Sequence, residues 1–222
     1  TMKSPFQLSP LVAVLVFCGL QQQASATTYS WSGNGVTANW SDTTKWSGGA
    51  APVSDLDTII SFSTSLNTNA TNNLGAIQLN RLTASNSGSK SLTIAGTSAN
   101  NLNFVKNSSD TLPTFSISSS STSGTTISIA FTVTDALTIT KSGTSGASIS
   151  GAISNTRGIT FDGGTGTGGV TLGGITSGSG GVTVSGTTYT LIMTGANTYT
   201  GATTIDAGAT LQVGNNASAG KI

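Results

Sequence analysis

From Arg81 onward the chain repeats a small unit: an apolar residue, a hydroxyl or amide residue, and a second apolar residue. It runs through Leu92-Thr93-Ile94, Leu102-Asn103-Phe104, Phe115-Ser116-Ile117, Ile127-Ser128-Ile129 and Leu137-Thr138-Ile139. It continues through Ile159-Thr160-Phe161, Val170-Thr171-Leu172 and Val182-Thr183-Val184, and closes at Leu211-Gln212-Val213. A period of two puts both apolar side chains on one face and the polar one on the other, which predicts a series of half-buried β-strands. Gly- and Ser-rich clusters separate them, as at 142–146, 163–169 and 177–181. Gly reaches positive φ cheaply, so these clusters serve as corners. The middle one contains Gly-x-Gly, but neither a Lys nor a helix pattern follows it, so it does not read as a phosphate loop.

Strands this short do not hold together as isolated hairpins. They become stable when each pairs with its equivalents in the coils above and below, and one rung alone buries too little to fold. The pattern therefore predicts an all-β fold, a β-solenoid with rungs of about 25 residues. Residues Leu66–Asn80 are rich in Asn. Asn67, Asn69, Asn72 and Asn73 are expected either to ladder between rungs, amide on amide, or to lie in loops.

The stretch Leu191–Gly214 compresses the pattern most. Apolar runs at Leu191–Met193, Thr204–Ile205 and Leu211–Val213 are divided by turns at Gly195-Ala196-Asn197 and Asp206-Ala207-Gly208. Tyr199 alternates with Thr198 and Thr200, which sends its ring to the opposite side from their hydroxyls. This stretch resembles the autotransporter-associated β-strand repeat, also called the passenger-associated transport repeat. The residues that carry the resemblance are Gly195, Asn197, Thr198, Tyr199, Gly201, Thr203, Ile205, Gly208, Leu211, Val213 and Gly214. Ala202 departs from it, standing where a second Gly is common. The resemblance implies a right-handed parallel β-helix on an exported bacterial surface protein, and no particular ligand. In such proteins the repeat usually recurs ahead of an outer-membrane barrel or a short sorting tail, so the resemblance also implies an N-terminal fragment.

The first residues differ in kind. Lys3, the apolar run Leu11–Leu20 and Ala24-Ser25-Ala26 have the layout of a secretory signal peptide, with cleavage expected after Ala26. The run is shorter than the roughly 20 residues that span a bilayer. The single cysteine, Cys18, lies inside it, so the mature chain is expected to form no disulfide. Trp31, Trp40 and Trp46 follow, ahead of Gly48-Gly49, Pro52, Asp55 and Asp57. This segment resembles the N-terminal part of large secreted proteins that carry the same repeat. The first rung of a solenoid has an open end, and three indoles are large enough to cover it, so a cap is expected. The alternative is a glycan platform on Trp31, Trp40 and Trp46.

The seven acidic residues are all Asp, His is absent, and the formal net charge is +1. So few cations speak against nucleic acid and against an anionic membrane surface as partners. A glycosidase needs two carboxylates held together. Only Asp55 and Asp57 are close, at the i, i+2 spacing of one strand face, and turn polarity accounts for them. The nucleophile–base pairs of hydrolases have no His or mature Cys to draw on.

The expected layout is a signal peptide over 1–26, a Trp-rich cap over 27–65 and solenoid repeats over 66–222, with the recognisable repeat at 191–214. The expected role is that of an exported surface stalk, structural or adhesive, not an enzyme, with no cofactor and no metal. Its partners would be the export machinery, through the signal peptide, and surface glycans or a host or neighbouring cell. The alternative is a carbohydrate-binding or carbohydrate-active module.

Overall fold

The computed structural model describes residues 25–187, 190–214 and 222. The signal-peptide expectation falls outside them apart from Ser25 and Ala26. The described chain coils through successive rungs. The first holds β1 (Thr27–Trp31) and β2 (Thr37–Asn39), the second β3 (Thr58–Thr64), β4 (Thr68–Thr71) and β5 (Ile77–Leu79). The third holds β6 (Arg81–Asn86), β7 (Leu92–Ala95) and β8 (Leu102–Phe104), and the fourth β9 (Thr114–Ser119), β10 (Thr125–Ile127) and β11 (Phe131–Val133). Then come β12 (Leu137–Ser142), β13 (Ala147–Ile149) and β14 (Ile153–Asn155), followed by β15 (Ile159–Gly163), β16 (Val170–Leu172) and β17 (Thr176–Ser177). The last rungs hold β18 (Val182–Ser185) with β19 (Thr190–Met193), and β20 (Thr203–Ile205) with β21 (Thr210–Val213).

Three parallel sheets result. Sheet one runs β1-β3-β6-β9-β12-β15-β18-β20, sheet two β2-β4-β7-β10-β13-β16-β19-β21, and sheet three β5-β8-β11-β14-β17. The fold is the parallel β-solenoid that the alternation predicts. Along sheet one the inward column reads Tyr29, Ile60, Leu82, Phe115, Ile139, Phe161, Val184, Ile205. From Phe115 onward each step in that column is 21 to 24 residues. The step from Leu82 to Phe115 is 33, because residues 105–113 loop out between β8 and β9.

The core is the inside of the coil, where one apolar cluster extends from Trp31 to Tyr199, with buried polar residues such as Lys141 and Asn155 set among its columns. Outside, sheet one carries the column Thr114, Thr138, Thr160, Thr183, Thr204. Sheet two carries Thr93, Thr126, Ser148, Thr171. Inward aliphatic and outward hydroxyl is the pattern that a pleated strand reads from the repeated unit.

One sequence expectation changes, and of the two readings of the Asn residues the loop position holds for Asn67, Asn72 and Asn73. The unit Ile127–Ile129 is not one strand: β10 ends at Ile127, and Ser128 and Ile129 both donate their N–H to Ile94 O at a corner. The Asn residues do not bond amide to amide. Asn67 Oδ1 accepts from Ser91 N, Asn73 Oδ1 from Ser41 N, and the buried Asn72 donates to Gly75 O and Asn100 O. A corner carbonyl or N–H left over by the sheets gives each of these three amides a backbone partner, which satisfies two groups at once, whereas the buried Oδ1 of Asn69 on β4 has no hydrogen-bond partner.

Candidate functional site

Two regions hold the residues that the sequence singles out, and they sit at opposite ends of the described coil. At the N-terminal end, Trp31, Trp40 and Trp46 are 4%, 0% and 2% exposed. Trp31 and Trp46 meet edge to face at 4.9 Å, and so do Trp40 and Trp46 at 5.7 Å. Phe62 of β3 lies within 5.9 Å of all three rings. Such edge-on contacts add to the burial of large apolar rings. Trp31 Nε1 donates to Gly33 O at 2.9 Å and Trp46 Nε1 to Trp40 O at 2.8 Å. Sugar stacking needs an open aromatic face, and none of these rings offers one. The three Trp of the alternative glycan platform serve the interior instead.

The same segment covers a sheet edge. Trp46 forms an antiparallel bridge with Trp31, against the parallel grain of the rest. Ser47 N donates to Ser30 O, and Ser32 N to Lys45 O. The half-buried Asp42 accepts from Thr44 N and Oγ1 and starts the single helical turn Thr43–Lys45 that turns the chain back. Those bonds from Thr44 hold the Asp42 carboxyl below the usual carboxylate range. Residues 27–65 also supply β1 to β3, so the covering segment is continuous with the sheets it covers.

Asp55 and Asp57 do not share a strand face, because β3 begins after them at Thr58. Asp55 Oδ1 accepts from Asp57 N, and the buried Asp57 accepts from Ser108 N across 51 residues of sequence. They pin a turn and tie down the 105–113 loop. Oδ1 of each is committed to a backbone N–H group.

At the C-terminal end the motif residues bond to the rung before. Asn197 is 2% exposed; its Oδ1 accepts from Thr176 N at 2.9 Å and its Nδ2 donates to Gly195 O at 3.0 Å. Thr198 N and Tyr199 N both donate to Thr176 O. Thr198 and Thr200 face solvent while Tyr199 is buried, and its hydroxyl meets Thr203 Oγ1 at 2.7 Å. A Cβ at Gly195 would lie 2.4 Å from Gly174 O, and one at Gly201 2.4 Å from Gly180 C, so only a bare backbone fits there. Gly208 and Gly214 take φ of +88° and +82°, a region open to Gly at no steric cost. Leu211 and Val213 continue the sheet-two columns of Leu191 and Met193. Ile205 and Val213 end their columns 50% and 45% exposed.

One buried ion was not foreseen. Lys141 of β12 points inward at 2% exposure, between Ile117 and Gly163 in its column. Its Nζ donates to Ser142 O at 2.5 Å and Gly143 O at 3.4 Å. Burial pushes its ammonium below the usual lysine range. Its inward parity is readable from Leu137 and Ile139, which precede it at two-residue steps.

The model of one family, the passenger-associated-transport-repeat, matches residues 190–213. No curated protein and no solved structure matches the chain. The matched stretch is the one in which Asn197, Tyr199 and the close-packed glycines fasten one rung to the next. The chain is thus a parallel β-solenoid in which residues 190–213, from β19 to β21, match the passenger-associated-transport-repeat model.

Proposed function

We propose that this chain is the stalk of an exported surface protein, passenger-like, which holds a charge-poor, hydroxyl-rich exterior away from the cell. One observation carries this reading: the passenger-associated-transport repeat is built into the same parallel sheets as the rest of the coil. A solenoid transmits position along its axis, since each rung contacts only its neighbours. The outward Ser and Thr columns keep it soluble at a net charge of +1. The role is mechanical or adhesive and not catalytic. Export to the cell surface or the extracellular space follows from the repeat, and the leader-like segment at 1–26 supplies the route across the inner membrane.

The test is display. The chain with its own leader is fused to an outer-membrane barrel in a Gram-negative host, and intact cells are labelled with antibody to the rod. Display is expected, with a several-fold loss when residues 190–213 are removed. A rod that stays inside the cell, or display indifferent to that removal, would overturn the reading.

A further inference from the structure

Where sheet three gives way to sheet one, the residues ahead of β12, β15, β18 and β20 have little or no side chain: Ala136, Gly158, Gly181 and Ala202. The register stacks Gly158 on Gly181 and Gly181 on Ala202. One flank of this line is the outward column Thr160, Thr183, Thr204, and the other holds Arg157 and Ser179. Together they enclose an open trough of about 490 Å³, within the size range of ligand sites.

Its electrostatics are one-sided. No acidic side chain lines it, and among the described residues the exposed Arg157 guanidinium makes no hydrogen bond or ion pair. Of the carboxylates in this region, Asp110 pairs with Lys106 Nζ at 2.6 Å, Asp135 accepts from Lys106 N at 2.9 Å, and Asp162, two residues beyond Thr160, accepts from Ser185 Oγ at 3.2 Å. Among the described residues the cation over the trough makes no direct ion pair, and no carboxylate lines the trough itself.

The chemistry narrows the ligand. Strand spacing sets the threonine hydroxyls about 4.8 Å apart along the axis. Each hydroxyl both donates and accepts. A sugar ring with its glycosidic oxygen advances a chain by about the same distance and offers hydroxyls at every step. A peptide is disfavoured, because the sheet backbone beneath the trough is already paired and strand addition needs a free edge. Nucleic acid is disfavoured, because one guanidinium neutralises one phosphate. A guanidinium binds a carboxylate through two parallel hydrogen bonds.

We propose that this trough binds an extended uronate-bearing polysaccharide along the rod axis. Thr160, Thr183 and Thr204 meet the ring hydroxyls, and Arg157 holds a carboxylate. This deepens the stalk reading by giving the stalk a ligand class.

The experiment is a titration of the full chain with tetragalacturonate at low salt, followed by amide NMR shifts and calorimetry. Shifts are expected to cluster at Thr160, Gly181 and Thr183. Arg157→Gln, and separately Thr160→Val with Thr183→Val, are each expected to weaken binding about tenfold or more with circular dichroism unchanged. Cellotetraose should bind at least about tenfold more weakly, and inorganic sulfate should leave the threonine amides unmoved. Equal affinity for cellotetraose, equal shifts with sulfate, an unaffected Arg157→Gln variant or no shift at millimolar ligand would each overturn the proposal. Loss of binding with display intact would sink the trough alone, while binding with display lost would sink the stalk reading.

Discussion

The two ends of the described coil solve the same problem in opposite ways. At the Trp31 end the interior closes under four aromatic rings, and the 45–47 segment runs antiparallel across part of the edge of β1. At the repeat end Ile205 and Val213 remain half exposed. Among the described residues no strand pairs the far edges of β20 and β21. Unpaired edges and uncovered columns are where a solenoid loosens first. The contrast teaches that stability here is directional: each rung leans on the one before it, and the support begins at the tryptophans.

The largest effects should come from the closed end. Trp40→Ala or Trp46→Ala removes a ring that nothing else fills, and a loss of about 3–5 kcal/mol is expected in chemical denaturation. Ile205→Ala at the open end should cost under about 1 kcal/mol, since half its surface already meets water. Equal costs at the two ends would break the contrast.

Next come the amide staples. Asn155 is fully buried, donates to Gly181 O and accepts from Gly158 N. Asn155→Ala strands these backbone groups and should cost about 1–3 kcal/mol. Asn197→Ala breaks the same kind of link nearer the loose end and should cost less in global stability. A larger loss for Asn197→Ala would place the weak point elsewhere.

Lys141 sharpens the picture in the middle of the rod. Its folded ammonium loses its proton more readily than the unfolded one. The unfolded chain therefore holds more protons in the window between the lowered value and the ordinary 10.5. Stability rises with pH through that window, and the penalty is fully present below it. Lys141→Met removes the slope and should raise the melting temperature at neutral pH by a few degrees, about 1 kcal/mol. A variant that melts lower would show that the bonds to Ser142 O and Gly143 O outweigh the burial cost.

The smallest effect is at Asp42. Its carboxyl lies below the ordinary value, so its contribution is present above that value and fades as pH falls through the folded one. Asp42→Asn, scanned from pH 5 to 3, should differ from the parent only slightly.

Much of the fold was legible because parity is local. Leu92–Ile94, Leu137–Ile139 and Val182–Val184 announce a strand by themselves. Others were hidden by their inward residue. Ala147 is small and Asn155 polar, so β13 and β14 break the apolar pattern while keeping its parity. Phe131–Val133 carries the unit but follows a corner without glycine, so nothing marks where β11 begins. The Trp cap was legible from ring size, while its antiparallel bridge was not, because that depends on where the returning chain lands. In the repeat, the packed roles of Asn197 and Gly201 follow from the rung beneath, not from neighbours in sequence. The trough is the extreme case. Its floor and walls come from four successive rungs, and only the register brings Arg157, Thr183 and Ala202 to one place.

The most direct measurement is amide hydrogen exchange along the whole rod under native conditions. Protection should be highest in β3, β6 and β9, next to the aromatic end, and fall rung by rung to β20 and β21. Uniform protection, or a gradient that rises toward β21, would contradict a rod whose support begins at its tryptophans.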